Sequence, residues 1–239
     1  MQSSGASLFC GLLGQMSQSV AIIDLWAEQV APQLVLAAPV VVLKATVTTN
    51  ITLFEHVANF QPTISILFLR HPAAVVTSLA KKPYASVGGA ISHKLEMLEY
   101  CYTQCNHWFD IVIRYEDCCR DINSVIGLTQ SCGLPVPSTA GCFTRSLKSI
   151  VRHNQLMSEW CRAYYGSKWG VGNIHQDKWG TFSDIAMPLS LDAFELARKC
   201  CPTVLKHYLN SDDPGCGRHI WNSESREMAT DRPMRSWEA

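Results

Sequence analysis

The chain has no surplus of either charge: 20 Lys and Arg stand against 20 Asp and Glu over 239 residues. A protein that tracks nucleic acid or an anionic membrane over a broad face needs a basic excess, so neither partner is expected. A local anion site stays open, because it needs only a few side chains. No G-x-x-x-x-G-K-[ST] run is present, which argues against a kinase or nucleoside triphosphatase. No G-x-G-x-x-G occurs, which argues against a nicotinamide enzyme, and no G-x-S-x-G elbow, which argues against a serine hydrolase. The 8 histidines show no H-E-x-x-H spacing, and the 11 cysteines hold no pair of C-x-x-C units at zinc-ribbon spacing, so no metal is expected. The longest apolar run, residues 30–43, is broken by Pro32 and Pro39 and is too short to span a bilayer. The opening residues lack the basic region of a secretory leader and are interrupted by Ser3, Ser4 and Ser7. A soluble, cytoplasmic chain is the expectation.

Apolar residues make up 47% and charged residues 17%, enough for one large domain around a single core. Cys118-Cys119 and Cys200-Cys201 are adjacent, and Cys101 and Cys105 lie one helical turn apart. Most cysteines fall among apolar residues, so buried free thiols in a reducing compartment are expected.

Strand and helix signals alternate as far as residue 133. Short apolar runs at 20–23, 40–44, 64–69 and 111–115 read as strands, the second and third without polar alternation, as in parallel strands covered on both faces. Helical signals cover 8–15, 53–59, 72–79, 90–108 and 122–132, and 25–33 reads as helix or irregular loop. Within 90–108, Ile91, Leu95, Leu98 and Tyr102 form one apolar stripe. This order predicts an α/β fold, a central parallel sheet flanked by helices. Residues 134–190 lose the pattern, 191–209 read as one helix, and the polar stretch 211–239 reads as a disordered tail after a domain spanning 1–210. No strand signal precedes the first helix, although an α/β domain normally feeds such a turn from a strand.

The most informative stretch is Arg70-His71-Pro72, directly after the apolar run 64–69, with Ser78 following in the next helix. In open α/β sheets, ligands sit beyond the carboxyl ends of strands. An arginine there, beside a helix start, suits a phosphate: it offers a fork of donors, and the helix adds N–H groups and a favourable dipole. Ser4-Gly5-Ala6-Ser7 places a glycine and hydroxyls at the start of the first helix, where backbone N–H groups can approach an oxyanion. Ile113-Arg114-Tyr115-Glu116-Asp117 ends another strand, and Glu116 and Asp117 are expected to cap the next helix near Asp121.

In this order, the three blocks resemble the sulfotransferase superfamily, which moves a sulfuryl group from 3′-phosphoadenosine-5′-phosphosulfate (PAPS) to a hydroxyl or amine on a P-loop-like parallel sheet. The resemblance implies that Arg70 and Ser78 hold the 3′-phosphate and that Ser4, Gly5, Ala6 and Ser7 surround the 5′-phosphosulfate. It further implies that Lys44 touches the transferring group, and that Asp24, or Glu28 one turn on, takes the acceptor proton. Lys178-Trp179 resembles the family's Gly-x-Trp segment. The chain departs from the pattern in four places: Ser3 stands where a basic residue is usual, Ala6 where a hydroxyl is usual, Thr46 where cytosolic members carry histidine, and Gly172, Asn173 and Ile174 where an Arg-Lys-Gly cluster is common. Those departures leave an alternative, a catalytically inactive binding or interaction protein on the same fold. The acceptor class, carbohydrate or small molecule, is left open by the sequence.

Overall fold

The computed structural model describes residues 4–14, 19–25, 40–47, 52–134 and 189–209. Their elements run α1 (Ala6–Leu13), β1 (Ser19–Leu25), β2 (Val40–Ala45), α2 (Leu53–Phe60), β3 (Ile66–Leu69), α3 (Pro72–Ala80) and α4 (Ile91–Thr103). They continue as β4 (Ile111–Arg114), α5 (Tyr115–Arg120), α6 (Ile122–Ser131), α7 (Leu191–Cys200) and α8 (Pro202–Leu209). Strand pairing is parallel, as expected of mixed strands and helices in alternation. β1 pairs with β2, Ser19 opposite Val40, with a register shift that brings Leu25 opposite Ala45. β3 pairs with β4 in unbroken register, Ile66 opposite Ile111 through Leu69 opposite Arg114. The single central sheet that the alternation predicts is not what the described residues form: they make two separate two-stranded sheets. β2 and β3 face each other across a gap in which no described strand lies.

β3 shows why an all-apolar strand folds here. Side chains alternate between faces along a strand. Leu67 and Leu69 enter one core with Ala73 and Val76 of α3, Leu95 and Leu98 of α4, and Ala197 and Val204 of the C-terminal helices. Phe68 enters the other, with Phe9 and Leu12 of α1, Ile111 and Ile113 of β4, and Val125 and Ile126 of α6. Both faces are therefore buried, and neither tolerates a polar side chain. Leu69, Leu95 and Ile111 are fully buried, and truncating any one to alanine costs about 2–5 kcal/mol. The cysteines Cys10, Cys101, Cys105, Cys118, Cys200 and Cys201 are buried free thiols, and Cys119 and Cys132 are half-buried free thiols.

Three sequence expectations are corrected. The helix expected over 90–108 ends at Thr103 and is followed by a 3-10 turn, Asn106–Trp108. The break lets Phe109 reach the core cluster of α3 and α4. The helix expected over 191–209 divides at Cys201-Pro202. Proline lacks an N–H and pushes its predecessor out of the helical region, and Cys201 has φ −145° and ψ 52°. Glu99 of α4 then accepts the N–H groups of Thr203 and Val204 at 2.9 and 3.1 Å, so a side chain from another helix caps α8. Finally, Asp121 itself caps α6, accepting from Asn123 N–H and Ser124 N–H at 3.0 and 3.2 Å. Glu116 and Asp117 occupy the first turn of α5 instead. The polar stretch 211–239 and residues 134–190, except 134 and 189–190, lie outside the described residues.

Candidate functional site at the carboxyl rim of β3 and β4

Arg70 follows the last residue of β3, and Tyr115 follows the last residue of β4. The parallel register sets these two ends side by side, with Leu69 opposite Arg114. The Arg70 guanidinium carbon lies over the Tyr115 ring, 4.5 Å from its centroid. The Ser4-Gly5 turn arrives at the same ring. Gly5 is the N-cap of α1 with φ 92° and ψ −1°, a left-handed backbone that glycine adopts without penalty. A Cβ built at Gly5 would sit 2.7 Å from Tyr115 Cε2, too close for any other residue unless the ring moves. Three separated blocks of the sequence thus converge on one aromatic ring.

The turn is shaped to present donors. Ser4 is buried, and its hydroxyl accepts from the Ala6 N–H at 3.4 Å. The first intrahelical bonds run from the N–H groups of Leu8 and Phe9 to the Gly5 carbonyl, at 3.0 and 3.2 Å. The Ala6 N–H is taken up by Ser4, and the Ser7 N–H also precedes those bonds, at a helix start where the dipole favours an anion. α1 is held in place by Phe9, whose ring lies 5.2 Å from that of Phe68 on β3. A second helix start lies beside Arg70: Pro72 is the first residue of α3, and its first ladder bond runs from Val75 N–H to the His71 carbonyl at 3.0 Å. Ser78 lies two turns along α3 and is half-buried.

Beneath the rim, charged groups fix the strand ends. Arg114 is 5% exposed and makes two bonds to Asp117, Nε to Oδ2 and Nη2 to Oδ1, both 2.8 Å. Glu116 accepts the His71 N–H at 2.9 Å and so pins the start of α3 to α5. The His71 ring meets the Tyr208 ring of α8 edge-on at 5.4 Å. Burial pulls the His71 pKa down, so the ring is neutral at neutral pH. Burial, then Cys119, pushes the Tyr115 hydroxyl up to about 12, with Arg70 pulling the other way. The ring therefore stays an uncharged phenol.

The other expected residues are distributed around this centre. Lys44 is half-buried near the carboxyl end of β2. Asp24 lies near the carboxyl end of β1, and the register that sets Leu25 opposite Ala45 brings its backbone level with Lys44; its side chain lies outside the described residues, as do Glu28, Lys178, Trp179 and residues 172–174. Lys44 and Thr46 line a cavity of about 240 Å³ that α1 reaches through Ala6. Arg70, Gly5 and Ser78 do not line it. Two residues, one at the rim and one lining the cavity, were not singled out by the sequence. Tyr115 belongs to a block that reads as a marker of the fold, yet it follows a strand end just as Arg70 does. Lys94 interrupts the apolar stripe of α4, buried, donating to the Ala85 carbonyl at 2.6 Å, and its pKa is lowered by burial. A lysine between Ile91 and Leu95 was the available signal.

Among the described residues no group of three or more His, Cys, Asp or Glu is placed to hold a metal, and no helix is long and apolar enough to cross a membrane. No family model matches the chain, and no curated protein or solved structure matches it.

Proposed function

We propose that the rim formed by Gly5, Arg70 and Tyr115 binds PAPS and that the chain is a sulfotransferase acting on the hydroxyl of a carbohydrate or small molecule. The observation that carries this reading is the shared ring: Arg70 lies over Tyr115, and Gly5 packs against the same ring too closely for a side chain. Two helix starts and one guanidinium thereby open on one rim, a donor set suited to an anion at each end of a nucleotide. In this reading Arg70 and Ser78 hold the 3′-phosphate. Ser4, Gly5, Ala6 and Ser7 hold the 5′-phosphosulfate, chiefly through N–H groups.

The reaction is an in-line displacement. The acceptor oxygen forms a bond to sulfur as the sulfur–oxygen bond to the 5′-phosphate breaks. The acceptor proton goes to a carboxylate, assigned to Asp24, and adenosine 3′,5′-bisphosphate leaves. Lys44 would offset charge on the group in transit. The donor is already activated, so positioning and charge stabilisation account for the chemistry without a metal.

Calorimetry with adenosine 3′,5′-bisphosphate tests the assignment. Arg70→Ala should weaken binding by roughly 10- to 100-fold, the worth of a charge-assisted hydrogen bond, and Ser78→Ala by less. Equal affinity in parent and Arg70→Ala refutes it. The second reading, a binding protein without turnover, is favoured by Thr46, which follows β2, lines the cavity where a base would be useful and has no basic nitrogen. Tight nucleotide binding with no transfer of labelled sulfuryl to sugars, phenols or sterols would select it.

A further inference from the structure

The ladder between β3 and β4 ends with Leu69 opposite Arg114. The next two positions keep the same step, but side chains take over from the backbone. Tyr115 lies under the Arg70 guanidinium, and Glu116 Oε1 accepts the His71 N–H at 2.9 Å. His71 is the N-cap of α3, with φ −46° and ψ 120°, and its side chain makes no cap hydrogen bond. At the start of α2 a capping box holds the corresponding group from within the helix: Glu55 accepts the Thr52 N–H at 2.6 Å. The same position in α3 is Ala74, which has no side-chain oxygen to offer. Glu116 supplies one from another element, 45 residues along the chain. Tyr208 of α8 packs against the pair. Its ring meets the His71 ring edge-on at 5.4 Å, and its hydroxyl faces Glu116. Burial, then the Glu116 charge, raises the Tyr208 pKa well above its ordinary value, so the group stays a phenol.

We propose that Glu116 is a positioning residue for Arg70, holding that arginine ready for the phosphate of the nucleotide. The role rests on the reading of the rim as a nucleotide site. The link between the two residues is short. The His71 nitrogen belongs to the peptide unit whose other end is the Arg70 carbonyl carbon, and that unit is planar from the Arg70 Cα to the His71 Cα. A bond that fixes the His71 N–H therefore fixes the plane from which the Arg70 side chain departs. Arg70 is held at both ends: at its Cα by Glu116 and at its guanidinium by Tyr115. Binding then has less of Arg70 left to order. A carboxylate beside the anchor of an anion site repels the ligand. What Glu116 contributes is the place of its oxygen and not its charge.

Calorimetry with adenosine 3′,5′-bisphosphate on the full chain, well below the melting midpoint of each variant, tests the role. Glu116→Asp keeps the charge and draws the carboxylate back by one methylene. It should weaken binding by about three- to tenfold, the worth of ordering one long side chain. Glu116→Gln loses the charge and keeps an accepting oxygen, so it should bind at least as tightly as the parent. A role for the charge predicts the opposite order. In an Arg70→Ala background, Glu116→Asp should change affinity by less than about twofold, because the side chain it positions is gone. Amide exchange reads the hydrogen bond with no ligand present: the His71 N–H should exchange about tenfold faster in Glu116→Asp and at the parent's rate in Glu116→Gln. If Arg70→Ala binds as tightly as the parent, the nucleotide reading fails and the role goes with it. If Arg70→Ala weakens binding, three results overturn the role alone: parent affinity in Glu116→Asp, an equal loss from Glu116→Asp in both Arg70 backgrounds, or a loss in Glu116→Gln as large as in Glu116→Asp.

Discussion

Replacing Gly5 by alanine tests the construction of the rim more sharply than any change to a charged group. The substitution adds one carbon and meets two separate penalties. The first is conformational: at φ 92° an L-residue pays about 1–2 kcal/mol. The second is steric. The new Cβ would lie 2.7 Å from Tyr115 Cε2, against an optimum near 3.5–4.0 Å. The ring must retreat by roughly an ångström, and overpacking of this kind costs about 1–3 kcal/mol. Retreat also disturbs the guanidinium over the ring, worth about 0.5–1 kcal/mol at a partly exposed site. Together these come to about 2.5–6 kcal/mol, read as a shift in the urea midpoint of the full chain. The two penalties separate in a double-mutant cycle. With Tyr115→Ala the steric part vanishes, and Gly5→Ala should then cost only about 1–2 kcal/mol. An equal cost in both backgrounds, or a cost below about 0.5 kcal/mol in the parent, would refute the claim that turn and ring are in contact.

Asp117→Ala should destabilise the chain by about 3 kcal/mol, because it removes the carboxylate paired with the buried Arg114 charge; Arg114→Met should cost clearly less, and the reverse ranking in urea unfolding would count against the pair. His71 gives a pH prediction. Its folded pKa lies below the ordinary 6.5 because of burial, so the unfolded chain takes up the proton first. The contribution of the neutral ring to stability is therefore complete above pH 6.5 and is lost as pH falls below it. The urea midpoint should drop between about pH 7 and pH 5 less steeply in His71→Gln than in the parent; identical slopes would show that the ring does not carry the effect.

Much of the local structure was legible, and the reasons are local. The runs that became β2, β3 and β4 are apolar without alternation, their only polar residues, Lys44 and Arg114, standing at the carboxyl ends, so no face is marked for solvent. Pro72 and Gly133 mark a helix start and a helix end in the backbone geometry observed, with Gly133 at φ 85°. Boundaries failed where a distant partner decides them. α8 is capped by Glu99 of α4, which no inspection of residues 191–209 reveals, although Pro202 signalled the break. The joining of the strands into one sheet is not shown among the described residues, which pair only as β1 with β2 and β3 with β4, and strand propensity does not say which edges meet. Arg70 was legible as an anion-binding candidate from its place after a strand. Its neighbour Tyr115 was not, because contact between two strand ends depends on the register of β3 against β4.

That contact bears on how an arginine can be ready for a phosphate. A long side chain on a surface loses about 1.5–2 kcal/mol of rotamer freedom when a ligand fixes it. Over Tyr115 the Arg70 guanidinium is already held before a ligand arrives, so part of that cost is met by folding. The hold is weak compared with what an anion offers: about 0.5–1 kcal/mol for a cation over a ring against about 1.5–3 kcal/mol for a hydrogen bond to a charged group. It also acts through the ring face and not through N–H donors. A phosphate therefore meets a cation whose place over the ring is already set. Tyr115→Phe keeps the ring and should leave nucleotide affinity nearly unchanged. Tyr115→Leu keeps the bulk and loses the quadrupole, and should weaken affinity by several-fold; if the two variants bind alike, the ring serves only as a spacer for Gly5.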